Sequence, residues 1–90
     1  MKLTFSTAPQ RFSIVHLGGE VWTQEAPGGE VAKVVRLAYP AEGIDLQVKV
    51  AWPPDAREAA LRIALTDPAG VAHEKTVWGR GEMEEVVTFP

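Results

Sequence analysis

Hydrophobic and polar residues alternate with a period of two along much of this chain, and the clearest run is Ile44 to Trp52. Leu46, Val48, Val50 and Trp52 fall on one side of it, with Asp45, Gln47, Lys49 and Ala51 on the other. Successive side chains of an extended chain point to opposite faces, so this run predicts a strand with one buried and one wet face. Leu61, Ile63 and Leu65 repeat the pattern against Arg62, Ala64 and Thr66.

Pro53 to Ala60 (PPDAREAA) supports two readings. Asp55 can cap a helix running on to Leu65, which places Leu61 and Leu65 at i, i+4. The alternative is a loop with one short helical turn near residues 55–60, then a strand from Leu61. The second is preferred because Asp67-Pro68-Ala69-Gly70 follows, with Asp, Pro and Gly where a type I turn wants them. Such a turn links two strands, and Val71 to Trp78 supplies the next one.

The remaining elements follow from the same pattern and from turn chemistry. Met1 to Ser6 reads as a first strand, ended at Ala8-Pro9. Arg11–Leu17 and Glu20–Glu25 read as a hairpin closed by Gly18-Gly19, since primed two-residue turns need positive φ. That register sets Leu17 opposite Glu20, His16 opposite Val21, Val15 opposite Trp22 and Ile14 opposite Thr23. After the Ala26-Pro27-Gly28-Gly29 break, Val31 to Tyr39 (VAKVVRLAY) is apolar on both faces except at Lys33 and Arg36. Burial on both faces predicts a central strand or a subunit interface. Tyr39-Pro40 forces an extended exit, and Glu42-Gly43 turns into the strand at Ile44. Trp78 to Glu82 (WGRGE) makes a short connection, and Glu82 to Phe89 is the last strand, with Met83, Val87 and Phe89 on one side. The expected fold is all-β: one domain, residues 1–90, forming an immunoglobulin-like or jelly-roll-like β-sandwich of about seven short antiparallel strands.

Composition sharpens this picture in a few places. Of the 90 residues 46% are hydrophobic and 23% charged, which marks a globular chain. The net charge of −3 and the scatter of single Lys and Arg residues argue against a nucleic-acid or anionic-membrane partner. There is no cysteine, hence no disulfide framework and no thiolate metal site. The first twelve residues contain no apolar run long enough for a signal peptide, so the expected location is cytoplasmic, although a fragment of a secreted chain would look the same.

Candidate chemistry is sparse. There is no phosphate-binding Gly-Lys loop, no Gly-x-Ser-x-Gly elbow and no His-Glu-x-x-His pair. A Ser–His–acid device would need Ser6 or Ser13 beside His16 or His73, and neither serine sits on a sharp turn. His16 shares a strand face with Phe12 and Ile14, which suits a partly buried imidazole held by a backbone group. His73 reads as a solvated strand position. Glu82, Glu84 and Glu85 with Asp67 read as a solvated acidic face, because calcium sites draw several oxygens from one tight loop. The expectation is no enzyme, no catalytic residues, no cofactor and no metal. Trp52 belongs to the core. Trp22 and Trp78 share faces with polar residues, the setting in which aromatics mark interfaces. Trp22, Trp78, Val35 and Tyr39 are therefore the interaction candidates.

A Gly-Gly turn, a following Trp, a Trp-Pro strand end and then LRIALTDPAG resemble a group of small bacterial β-sandwich proteins over roughly Phe12 to Gly70. The stretch from Ile44 to Val87 also resembles pre-peptidase C-terminal domains, sandwiches with Leu-x-Leu-x-Asp-Pro-x-Gly strands appended to secreted proteases. This chain lacks the closing Gly-Thr-Tyr strand of the latter type. Both resemblances imply a sandwich and neither supplies a catalytic residue. The reading that results is a non-enzymatic domain acting through protein–protein contact, as a homo-oligomer or with another protein. The alternatives are a small-molecule or carbohydrate-binding sandwich and an accessory domain of a secreted enzyme.

Overall fold

The computed structural model describes residues Met1–Pro90. Eight strands form: β1 (Lys2–Phe5), β2 (Arg11–His16), β3 (Gly19–Glu25), β4 (Glu30–Ala32), β5 (Ile44–Ala51), β6 (Ala59–Thr66), β7 (Ala72–Gly79) and β8 (Glu82–Phe89). They make two four-stranded antiparallel sheets, ordered β4-β1-β6-β7 and β3-β2-β5-β8. There is no helix, and so none long and apolar enough to cross a membrane.

The two sheets share one core because each has one apolar face. Leu46, Val48 and Val50 on β5 meet Ala59, Leu61 and Ile63 on β6, and Phe89, Val87 and Met83 of β8 join the same cluster. The ring of Phe5 on β1 lies 5.8 Å from that of Phe12 on β2, which ties the sheets together directly. Trp52 ends the β5 face in the core, and its indole N–H donates to the Thr7 carbonyl at 2.8 Å. That bond lets a polar ring tip be buried without an orphaned donor.

Three expectations are corrected. Residues 55–60 hold no helical turn: a turn from the Pro53 carbonyl to the Ala56 N–H is followed by β6, already extended at Ala59. As a strand, β6 buries Ala59, Leu61, Ile63 and Leu65 on one face, whereas a helix would bring Glu58 and Arg62 beside Leu61 and Leu65. The first hairpin closes one residue earlier than the glycine pair suggests. His16 pairs with Gly19, so Leu17 and Gly18 form the turn, both with positive φ. Val21 is then an extra residue on β3, a bulge that sets Ile14 opposite Trp22 and turns that indole into the core.

The third correction concerns Val31 to Tyr39. β4 is only three residues long and lies at a sheet edge, and the chain then runs from Lys33 to Pro40 without joining either sheet. Its alternation survives: Val35, Leu37 and Tyr39 are half-buried against the core, while Val34, Arg36 and Ala38 are exposed. This strap crosses one end of the molecule, from the edge of the first sheet to Ile44 in the second.

The outer edges carry charge on their inward faces. On β7, Lys75 lies opposite Ile63, and on β8, Glu85 lies opposite Val48. Inward-facing charges on edge strands discourage pairing with another sheet.

Candidate functional site

The end of the molecule spanned by the strap collects most of its unusual features. It contains the Leu17-Gly18 turn, the strap itself, the Asp67–Gly70 turn and the chain after Phe89. The ties are specific. Tyr39 donates its hydroxyl to the Pro90 carbonyl at 2.6 Å, and Gly43 packs against the Phe89 carbonyl. Three large apolar side chains are exposed at this end: Leu17 at 88%, Val34 at 91% and Val71 at 53%.

Asp67 organises the turn after β6. Its Oδ1 accepts the backbone N–H groups of Ala69 and Val71, each at 2.9 Å, and its Oδ2 accepts from His73 Nε2 at 2.9 Å. The His73 hydrogen bond, followed by the Val71 amide, holds the Asp67 carboxyl below its usual value. Tyr39 moves the other way: partial burial disfavours its phenolate, and the charge on Asp67 adds to that. Between the strap and this turn runs a slot of about 190 Å³, lined by Val35, Leu37 and Tyr39 on one side and Leu65 and Pro68 on the other. Past Tyr39 it opens into a wider hollow of about 550 Å³ beside Val71 and His73.

The interaction candidates separate. Trp22 is 5% exposed and packs edge-on against Phe12 with ring centroids 4.9 Å apart, so it is a core residue. Trp78 is 61% exposed on the outer face of the first sheet, opposite Ala60. Val35 and Tyr39 lie together on the strap, far along the chain from Trp78. The structure also joins Asp67 to His73, a pair the sequence reading kept apart. The signal was present in a turn-opening aspartate with a histidine at the start of the next strand.

The other titratable groups are spread over the sheets. His16 Nδ1 donates to the Asp45 carbonyl at 3.2 Å, while its Nε2 is buried with no partner. Glu84 accepts from the Gln47 amide, and Lys2 pairs with Glu30 at 2.6 Å, which lowers the Glu30 pKa. No three His, Asp or Glu side chains converge as a metal site would require. No protein-family model, curated protein or solved structure matches the chain.

Proposed function

We infer that this is a non-enzymatic protein–protein contact domain, and that the strap end is its contact surface, with self-association as the first form of that contact. The observation that carries this is that three of the five exposed large apolar side chains, Leu17, Val34 and Val71, lie at the strap end, while the other two, Trp78 and Val86, stand singly on the two sheets. Exposed apolar groups gathered in one region mark interaction surfaces, whereas scattered ones do not. The one buried-edge acid–base pair supports a structural role, since both Asp67 oxygens are taken up by Ala69, Val71 and His73.

The broad architecture agrees with the immunoglobulin-like group of sandwiches in having two antiparallel sheets over one core. In its strand order it stands apart, for β1 neighbours β4 and β6 and never β2, whereas the first two strands of an immunoglobulin constant-type sheet are neighbours.

Light scattering coupled to size exclusion, over a wide concentration range, tests self-association. The expected result is a concentration-dependent dimer or larger species that Val34→Glu shifts toward monomer without changing the melting temperature. A monomer at every concentration, for the unmodified chain, removes self-association.

A second reading rests on Trp78. Its indole is exposed on the outer face of the first sheet, one register step from the Arg62–Thr76 pair, and an exposed aromatic ring is a surface on which a sugar ring can stack. Tryptophan quenching by a glycan, lost in Trp78→Ala, would favour this carbohydrate-binding reading.

A further inference from the structure

Asp67–Pro68 is the only Asp-Pro peptide bond in the chain. Such a bond is chemically weak in acid, for two reasons that act together. The aspartate carboxyl is held within reach of its own carbonyl carbon, and attack within one residue closes a five-membered ring at little entropic cost. The leaving nitrogen is that of a proline, which takes up a proton more readily than the nitrogen of an ordinary peptide bond. The bond opens the turn between β6 and β7, where Pro68, Ala69 and Gly70 are all exposed to water.

The turn makes one half of that reaction ready and holds the other half back. The Asp67 carbonyl, the group to be attacked, accepts the Gly70 N–H at 2.9 Å. A backbone donor in that place polarises the carbonyl and stabilises the oxyanion that attack creates. The attacking carboxyl is tied down instead. Its Oδ1 accepts the amides of Ala69 and Val71, and its Oδ2 accepts His73 Nε2, all at 2.9 Å. With their lone pairs aimed at these donors, neither oxygen is free to turn on the carbonyl carbon.

The same contacts withhold the proton that the reaction needs. The His73 hydrogen bond, and after it the Val71 amide, keep the Asp67 carboxyl ionised to lower pH than usual. The titratable groups facing it are His73 from β7 and the Tyr39 hydroxyl from the strap, and neither a lysine nor an arginine pairs with it. Of these, His73 is the one side chain that donates to it. The side chains of Asp67 and His73 are both mostly buried, which keeps water from replacing that donor.

We propose that Asp67–Pro68 is a self-cleavage site, and that His73 is the positioning residue that holds it shut. Once released, the neutral Asp67 carboxyl adds one oxygen to the Asp67 carbonyl carbon, and its proton passes to the Pro68 nitrogen. The C–N bond then breaks with its electron pair on nitrogen, leaving a cyclic anhydride at Asp67 and a free amine at Pro68. Water opens the anhydride to two carboxyl groups, so the net change is hydrolysis, with no oxidation and no other reactant. β7 stays paired with β6, and β8 with β5, along their whole lengths. The cut chain therefore holds together until it is denatured.

The test follows fragments by mass spectrometry after denaturation, at the lowest pH where tryptophan fluorescence shows the chain still folded. The unmodified chain is expected to stay whole there. In guanidinium at the same pH it should split into one fragment ending at Asp67 and one starting at Pro68. Folded His73→Ala should split at least about tenfold faster than the folded unmodified chain, about 1.4 kcal/mol in the barrier. His73→Phe, which fills the space without a donor toward Asp67, repeats that comparison where alanine leaves the fold too weak. His73→Gln, which keeps a donor, should restore most of the protection, and Asp67→Asn and Pro68→Ala should give no fragments. Ile14→Val, a change in the core of the second sheet, separates the clamp from general loss of stability. Its cleavage should follow its unfolded fraction, whereas that of His73→Ala and His73→Phe should exceed theirs. The proposal is overturned if the chain in guanidinium does not split at this bond, or if the folded unmodified chain splits as fast as the unfolded one. It is overturned equally if both donor-less variants cleave only in proportion to their unfolded fractions.

Discussion

His73 donates its Nε2 proton to the Asp67 carboxylate at 2.9 Å, closing a ring of interactions across the turn between β6 and β7. A carboxylate can only accept, so the imidazole must carry its proton on Nε2. The same Asp67 binds two turn amides, and the Asp67 carbonyl accepts the Gly70 N–H at 2.9 Å, which completes the turn. One side chain thus fixes both the turn and the position of β7 at the rim of the hollow.

Stability should fall on acidification, and part of that fall should belong to Asp67. Its pKa is lowered in the folded protein, chiefly by His73, so folding favours the ionised form. The resulting stabilisation is fully present above the ordinary aspartate value of about 3.9 and is lost as pH falls through the lower folded-state value. Glu30, lowered by Lys2, contributes in the same direction, but this exposed pair is screened by salt. Urea unfolding at a series of pH values should show a steep acid limb that is shallower in Asp67→Asn. An unchanged limb would show that the native ion pair does not set the acid response.

Trp22 and Trp78 should behave as opposites. Trp22→Ala removes a buried indole from its edge-on packing against Phe12, and losses of about 3–5 kcal/mol are usual for such truncations. Trp78→Ala acts at an exposed position and should change stability by less than about 0.5 kcal/mol. Chemical denaturation of both variants checks this. Comparable losses would mean that the Trp78 indole packs more closely than its exposure indicates.

The contrast shows where sequence pattern carries information. β5, β6 and β8 were legible because each gathers most of its large apolar residues on one face, and that face is buried in all three; on β8, Glu85 interrupts it and Val86 stands exposed on the other side. Trp22 was misread because a single bulge residue, Val21, exchanges the faces of β3 beyond the hairpin, whereas closing the turn one residue earlier shifts the register by two and leaves the faces as they were. The strap was misread for a different reason. Val34 and Val35 look like a strand buried on both sides, but a strand needs hydrogen-bonding neighbours, and no local pattern records that β1 begins at Lys2 while the strap runs on past it. The Asp67–His73 pair depends on how the turn aims two side chains, which becomes visible only once both strands are placed.

Gly43 should resist substitution. Its φ is +116°, where side-chain-bearing residues are strained, and a Cβ there would collide with the Phe89 carbonyl. That carbonyl belongs to the backbone of β8, whose Phe89 pairs with Ile44, so neither side can yield without breaking the ladder. Gly43→Ala should therefore lower the unfolding free energy measured by urea titration by about 1–3 kcal/mol, more than an exposed alanine substitution does. A variant as stable as the unmodified chain would show that the strap exit can relax.

Leu17 should be improvable, and its replacement separates stability from contact. It sits at φ 52° in the first hairpin turn, a conformation costing a leucine about 1–2 kcal/mol, beside Gly18 at φ 76°. Asparagine tolerates that region and is favoured before glycine in such turns. Leu17→Asn should thus raise stability by about 0.5–1 kcal/mol while removing a side chain that is 88% exposed. A leucine kept there against local preference is explained if the side chain is used in binding. The expected outcome is a higher melting temperature together with weaker self-association by light scattering. A more stable variant that associates as strongly as the unmodified chain would take Leu17 out of the contact surface and leave Val34 and Val71 to form it.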